Sequence, residues 1–116
     1  MAIPFSIEAK KENGIDVIAI AGALDAATLE EFVGTLAPLM NGSLPKVVLD
    51  CRQLEYMNSR AIGHLSQYHR MAMVKGGRMV LWGLSDRLQR SFERLRMKDS
   101  LFLSETKEDA LAKFED

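Results

Sequence analysis

Cysteine is nearly absent from this sequence, in which Cys51 is the only one among 116 residues. A single cysteine excludes an intrachain disulfide and a cysteine-based metal cluster, and such usage is typical of a reducing compartment. The formal net charge of −1 provides no general attraction to nucleic acid or to an anionic membrane. No apolar run approaches the roughly 20 residues of a membrane-spanning helix. Residues 1–5 lack a basic region followed by a long apolar stretch, so we expect no signal peptide and a cytoplasmic protein.

Residues that commonly carry catalysis are also scarce. The two histidines, His64 and His69, are five residues apart, which places them about 140° apart around a helix, so they cannot share a metal ion. His64 follows Ser59 by the same interval and is poorly placed to act as its base. No phosphate-binding loop and no set of nucleophile, base and orienting residue is present. We therefore expect no metal, no cofactor and no enzymatic activity.

The composition is that of an ordinary soluble domain, with 47% hydrophobic and 27% charged residues. The length predicts one domain over residues 1–116 that can bury its own core. Apolar periodicity, turn residues and helix caps predict nine elements. The predicted strands cover residues 5–10, 15–21, 46–51, 79–82 and 101–103. The predicted helices begin at a Thr28–Glu31 capping box, near Ser59, at Ser85 and at Thr106.

This order, a hairpin followed by alternating strands and helices, predicts the α/β class. We expect a mixed sheet of four to five strands packed against about four helices, with the strand at 46–51 in a central position. Ligands and partners commonly meet such folds at the loops that follow the strands. Asp25 and Ser59 both fall in such loops, so we expect them to be neighbours in space. Asp50 is expected to close the loop after its strand, and Cys51 to be a buried apolar residue.

The most informative stretch is the run from Tyr56 to Gly63, where an apolar strand gives way to a helical pattern. Ser59 has two interpretations here. It is either a plain helix N-cap or a hydroxyl that is open to phosphorylation, which adds about −1.5 to −2 charge. Asp25 likewise either caps a loop or contacts a partner. The arginines of residues 87–98 favour a solvated helix face over a nucleic-acid site, although an acidic partner could contact some of them.

Four segments in order resemble the family of sulfate-transporter and anti-sigma-factor-antagonist (STAS) domains. The segment Gly22–Thr28 is similar to the family's G-x-(L/I)-D-x-x-(S/T) pattern, and Val47–Asp50 to its buried strand ending in aspartate. Tyr56–Gly63 resembles the signature with D-S-x-G, and Gly76–Leu81 the turn from helix to strand. Asn58 and Ala61 depart from that signature, since the family usually has aspartate and glycine there. Asn58 is still able to cap a helix, so we expect the local geometry to be kept.

The resemblance implies a bacterial anti-sigma-factor antagonist of the same fold. In that branch an anti-sigma factor kinase phosphorylates the serine that matches Ser59, the unphosphorylated protein sequesters this kinase, and a protein phosphatase resets the switch. The implied partner-binding residues are those of the two loop motifs: Asp25, Thr28, Asn58, Ser59, Arg60, Ile62 and Gly63. We expect a monomer or a weak dimer. Because Asn58 and Ala61 depart from the signature, the alternative is a non-phosphorylated scaffold bound to a transporter ATPase or a signalling assembly.

Overall fold

The computed structural model describes residues 3–95 and 102–115. Within these residues five strands and four helices follow the predicted order. The strands are β1 (Ser6–Glu12), β2 (Ile15–Leu24), β3 (Lys46–Met57), β4 (Arg78–Trp82) and β5 (Phe102–Ser104). The helices are α1 (Leu29–Met40), α2 (Ser59–Val74), α3 (Asp86–Arg94) and α4 (Lys107–Ala112). The predicted fold class is therefore confirmed.

The strands form one mixed sheet in the order β1-β2-β3-β4-β5. β1 and β2 are antiparallel and are joined at Asn13 and Gly14, which both have positive φ, as a tight hairpin turn requires. All other neighbouring strands are parallel. The predicted central position of β3 is confirmed, because two strands lie on each side of it.

The helices cover the two faces of the sheet unequally. Successive side chains of a strand point to opposite faces, so Val47 and Leu49 belong to one apolar cluster and Val48 to the other. The larger cluster contains the buried residues of α1, α2 and α3. The smaller cluster contains Ala110 of α4, with Phe114 packed against it. The three longer helices therefore share one face, and α2 lies in a fixed position over the sheet.

Strands β2 and β3 extend furthest beyond the ends that the sequence pattern predicts. The prediction ended β2 at residue 21 and β3 at residue 51, whereas they extend to Leu24 and Met57. Irregular pairing between the two strands at Gly22 interrupts the alternation of side chains, which hides the continuation from a periodicity analysis. Gly22 has a φ of 84°, and a Cβ there would lie 2.8 Å from the Ile3 carbonyl oxygen. Glycine thus allows the N-terminal segment to cross β2 closely.

The prediction that Asp50 closes a loop is wrong, because it lies within the longer β3. Its carboxylate accepts hydrogen bonds from the Arg52 side chain, at 3.0 Å from Nε and 2.7 Å from Nη2. Burial alone would raise the pKa of Asp50, but the hydrogen bonds from Arg52 outweigh it and hold that pKa below its usual value. The Arg52 guanidinium also lies 4.5 Å from the centre of the Trp82 ring.

Cys51, which lies between Asp50 and Arg52 in the sequence, is buried and has a free thiol, as expected. Burial raises the pKa of its thiol, and the negative charge of Asp50 adds to this effect. Cys51 is therefore an unreactive core residue.

Candidate protein-binding site

The candidate site lies where β2 and β3 end side by side. Leu24 and Met57, the last residues of these strands, are register partners. The next residue after Met57, Asn58, donates its backbone N–H to the Leu24 carbonyl oxygen at 2.9 Å. The loop that begins at Asp25 is therefore adjacent to the start of α2 at Ser59, and the predicted proximity of these two loops is confirmed.

Asn58 is the N-cap of α2. Its backbone is extended, with φ −79° and ψ 170°, and its side-chain Oδ1 accepts a hydrogen bond from the Ala61 N–H at 2.9 Å. The expected capping by asparagine is confirmed. The interpretation of Ser59 as the N-cap is wrong, because Ser59 is the first residue within the helix.

Ser59 is exposed to solvent. Within residues 3–95 and 102–115 its hydroxyl has no hydrogen-bond partner, because Asn58 already provides the cap. A helix N-terminus presents backbone N–H groups and a positive dipole end, both of which favour a nearby negative group. The hydroxyl of Ser59 is thus accessible and lies where an added phosphate would be tolerated by the helix.

The loop between β2 and α1 is held by Asp25 and Thr28. Asp25 Oδ1 accepts hydrogen bonds from the N–H of Ala27 at 2.9 Å and of Thr28 at 3.3 Å. The Thr28 hydroxyl donates to the Ala23 carbonyl at 2.7 Å and accepts from the Asp25 N–H at 3.0 Å. The predicted Thr28–Glu31 capping box is wrong, since the Thr28 side chain makes no cap bond to the helix. Its hydroxyl closes the preceding turn instead.

Asp25 therefore caps its loop, which is one of the two roles predicted for it. It is half-buried, and only Oδ1 is used for the turn. In the described part of the chain, Oδ2 has no hydrogen-bond partner. A contact between this oxygen and a partner remains compatible with the observed cap.

The remaining predicted partner-binding residues lie on α2 and differ in exposure. Arg60 is exposed, and Gly63 is half-buried with no atom within 4 Å of the position that a Cβ would occupy. Ile62 is only 1% exposed and belongs to the larger apolar cluster. Its prediction as a partner contact is wrong, because its side chain packs against the sheet.

Tyr56 is a surface residue of the site that the sequence analysis did not include. It is 46% exposed and lies two residues before the cap of α2, whereas Met57 points into the core. The premature end predicted for β3 placed Tyr56 in a loop of undefined direction. A strand that continues to an inward-facing Met57 would have placed Tyr56 on the opposite side, because successive side chains alternate.

The two histidines lie away from Ser59 in different environments. His69 is buried, and its pKa is lowered mainly by that burial, against the opposing effect of a hydrogen bond with the backbone of Met79. The ring of His64 lies 5.9 Å from that of Tyr68. In residues 3–95 and 102–115, no three His, Cys, Asp or Glu side chains are grouped so as to hold a metal ion. None of the helices in these ranges has the length and apolar character needed to cross a membrane.

Solved structures with this fold include an anti-sigma factor antagonist from Mycobacterium paratuberculosis. It is 18% identical, the alignment covers 100% of both chains, and the TM-score is 0.87. The unphosphorylated anti-sigma factor antagonist SpoIIAA is 20% identical over 95% of each chain, with a TM-score of 0.74. The phosphorylated form of this Bacillus cell fate determinant is 19% identical over 95% of this chain and 98% of that one, with a TM-score of 0.68. At such identities the similarity establishes a shared fold.

No curated protein sequence matches this chain significantly. The family model of the STAS domain, in contrast, matches residues 6–110, which is most of the sequence and includes both loops of the site. The chain therefore belongs to the STAS domain family.

Proposed function

We propose that this protein is an anti-sigma factor antagonist that binds an anti-sigma factor kinase while Ser59 is unphosphorylated. One observation carries the proposal: Ser59 is exposed on the first turn of α2, beside the Asp25 loop, and its hydroxyl is not used by the fold. The structural similarity to antagonists supports it. The occurrence of SpoIIAA in unphosphorylated and phosphorylated forms supports a switch by phosphorylation.

The proposed switch has two covalent steps. In the first, the Ser59 Oγ attacks the γ-phosphorus of ATP, the bond from that phosphorus to the β,γ-bridging oxygen breaks and ADP leaves, and the hydroxyl proton passes to a base of the kinase. In the second, a protein phosphatase hydrolyses the phosphoserine with water, which restores the hydroxyl and releases inorganic phosphate. Because the first step consumes ATP, the proposal places the exchange in the cytoplasm. This chain supplies the acceptor hydroxyl and a binding surface, and no catalytic group.

Phosphorylation should prevent binding without unfolding the protein. The Ser59 residue is exposed to solvent, and the positive end of the α2 dipole favours a phosphate there by about 0.3–1 kcal/mol. The same phosphate in a closely packed interface would lose its hydration and add a charge of about −1.5 to −2. Phosphorylation therefore weakens the free energy of binding but leaves the stability of the free protein nearly unchanged.

Asp25 completes the proposed binding surface. Its Oδ1 holds the loop in place, and its free Oδ2 is available to accept a hydrogen bond from the kinase. Thr28 contributes indirectly, because its hydroxyl fixes the turn that orients Asp25. Tyr56, which is exposed and three residues before Ser59, offers an apolar contact at the end of β3.

The proposal is tested by phosphorylation of the purified protein. Each anti-sigma factor kinase encoded by the source genome is incubated with the protein and ATP, and phosphate is located by mass spectrometry. We expect one kinase to phosphorylate Ser59 alone, and the Ser59→Ala variant to remain unmodified. Ser85, the exposed N-cap of α3, provides a matched control, because Ser85→Ala should not reduce incorporation. No incorporation, or incorporation at another residue, would contradict the proposal.

One observation favours a second function, that of a non-phosphorylated scaffold. Neither the N-cap Asn58 nor the first turn of α2 provides an acidic residue, so a carboxylate that a kinase could recognise at this position is missing. Co-purification with a transport ATPase or a signalling assembly, together with no phosphorylation by any kinase, would favour this alternative.

A further inference from the structure

Helix α2 carries positive charge without any negative charge. Its 16 residues include Arg60 and Arg70 but no aspartate or glutamate. The neighbouring helix α1 has the opposite character, with Glu30 and Glu31 and no lysine or arginine. The chain as a whole has a net charge of −1, so the positive charge of α2 is a local feature and not a consequence of composition.

The two arginines of α2 are also not used by the fold. Both are exposed, and neither forms an ion pair or hydrogen bond with any residue in the described ranges. Other basic side chains are engaged with acids: Lys10 and Lys107 with Glu12, Lys11 with Asp16, and Arg52 with Asp50. Arg60 and Arg70 therefore keep their full capacity to donate hydrogen bonds to a partner.

Helical geometry places these arginines on the same exposed side of α2 as Ser59. Arg70 follows Ser59 by eleven residues, which corresponds to about 20° around the helix axis and about 16 Å along it. Gly63 lies between them on the same side and adds no side chain. Arg60 is the residue after Ser59. We call Ser59, Arg60, Gly63 and Arg70 the basic face of α2.

We infer that the protein partner bound at Ser59 presents acidic residues to the basic face of α2. This inference rests on the proposed function and adds the chemistry of the partner. Arginine forms bidentate hydrogen bonds with carboxylates, and complementary charge across an interface accelerates association and rejects other partners. A nucleic acid fits less well, because the sequence pI is about 6.1 and this face has only two arginines and no aromatic side chain on which a base could stack.

The same arrangement explains how phosphate at Ser59 acts on an acidic partner. The added negative charge lies next to Arg60 and offsets the positive charge that attracts the partner. It also repels the carboxylates that face α2. Binding of the acidic partner is thus weakened in two ways, because the attraction is reduced and a repulsion is added.

The inference is tested by calorimetry with the kinase that phosphorylates Ser59. The variants are Arg60→Glu, Arg70→Glu and the double variant, with Lys113→Glu at the C-cap of α4 as the control. Lys113→Glu changes the net charge by the same amount as each single arginine variant, but on the opposite face of the sheet. We expect each variant on α2 to weaken binding about fivefold and the double variant at least about twentyfold at low salt. The losses should shrink in 0.5 M salt, where charges are screened beyond a few ångströms.

Several results would overturn the inference. Unchanged affinity of the double variant, or an equal loss for Lys113→Glu, would show that the partner does not place acidic residues on α2. A labelled 20-base-pair DNA duplex that binds as tightly as the kinase, and loses binding in the double variant, would assign the face to nucleic acid. Failure of every kinase to bind the unaltered protein would instead overturn the proposed function itself.

Discussion

The backbone N–H of Asn58 donates to the carbonyl oxygen of Leu24 at 2.9 Å, which joins the start of α2 to the end of β2. This single hydrogen bond continues the pairing of β2 with β3 by one residue beyond Met57. As a result the exposed hydroxyl of Ser59 and the loop of Asp25 are held on one surface by main-chain geometry. A partner could therefore contact both without any rearrangement of this protein.

The cap of α2 is tested by Asn58→Ala. The side-chain hydrogen bond to the Ala61 N–H is lost, whereas the backbone bond to Leu24 is kept. We expect the free energy of unfolding to fall by about 1 kcal/mol, measured by denaturant titration. Asn58→Asp serves as the control, because aspartate caps helices equally well and should preserve stability. An Asn58→Ala variant whose free energy of unfolding is unchanged would contradict the assignment of Asn58 as the cap.

The variant Gly63→Ala tests whether Gly63 lies in the interface with the kinase, and Gly34→Ala is its matched control. Both glycines lie within helices, and neither has an atom within 4 Å of an added Cβ. Alanine should therefore stabilise each helix by about 0.5–1 kcal/mol, seen as a rise in Tm of a few degrees. Only Gly63→Ala should weaken binding of the kinase, because only Gly63 lies one turn from Ser59. Equal affinities of the two variants would remove Gly63 from the interface.

The pH dependence of stability is predicted from Asp50. Its pKa is lowered in the folded protein, so its contribution to stability is present at neutral pH and is lost as the pH falls below about 4. We expect Asp50→Asn to lower the Tm at pH 7, and this difference to shrink as the pH falls through the lowered pKa of Asp50. Glu8→Gln is the control, since Glu8 is an exposed carboxylate with no ion pair in the described residues. A difference in Tm that does not shrink at all between pH 7 and pH 2 would contradict the role of the carboxylate charge.

The alternation of elements and their order along the chain could be predicted because their signals are local. The apolar stripe of α2, with Leu65 and Ala72 inward, follows the helical period, and Ser85 and Thr106 cap their helices as predicted. These features depend on residues three or four positions apart. The mixed sheet then follows from the order of strands and helices.

The ends of β2 and β3 and the roles of Thr28 and Ser59 could not be predicted in the same way. The irregular pairing of β2 with β3 lies at Gly22, where the backbone of Ile3 also comes close, and neither feature is visible in the local sequence pattern. The Thr28 hydroxyl could either cap α1 or close the preceding turn, and either Asn58 or Ser59 could cap α2. The three-dimensional arrangement of the loops decides both cases. The resemblance implies Ile62 as a partner contact because of its motif, whereas the helical period places it in the core, and the structure agrees with the period.

The central claim is that charge at Ser59 prevents binding while the fold is kept. Calorimetry of Ser59→Asp with the kinase, accompanied by a thermal melt, tests this claim most directly. We predict a Tm within about 2 °C of the unaltered protein and an affinity weakened at least about tenfold. Ser85→Asp, which places the same charge at the start of α3, should bind normally. Undiminished affinity of a folded Ser59→Asp variant would contradict the account.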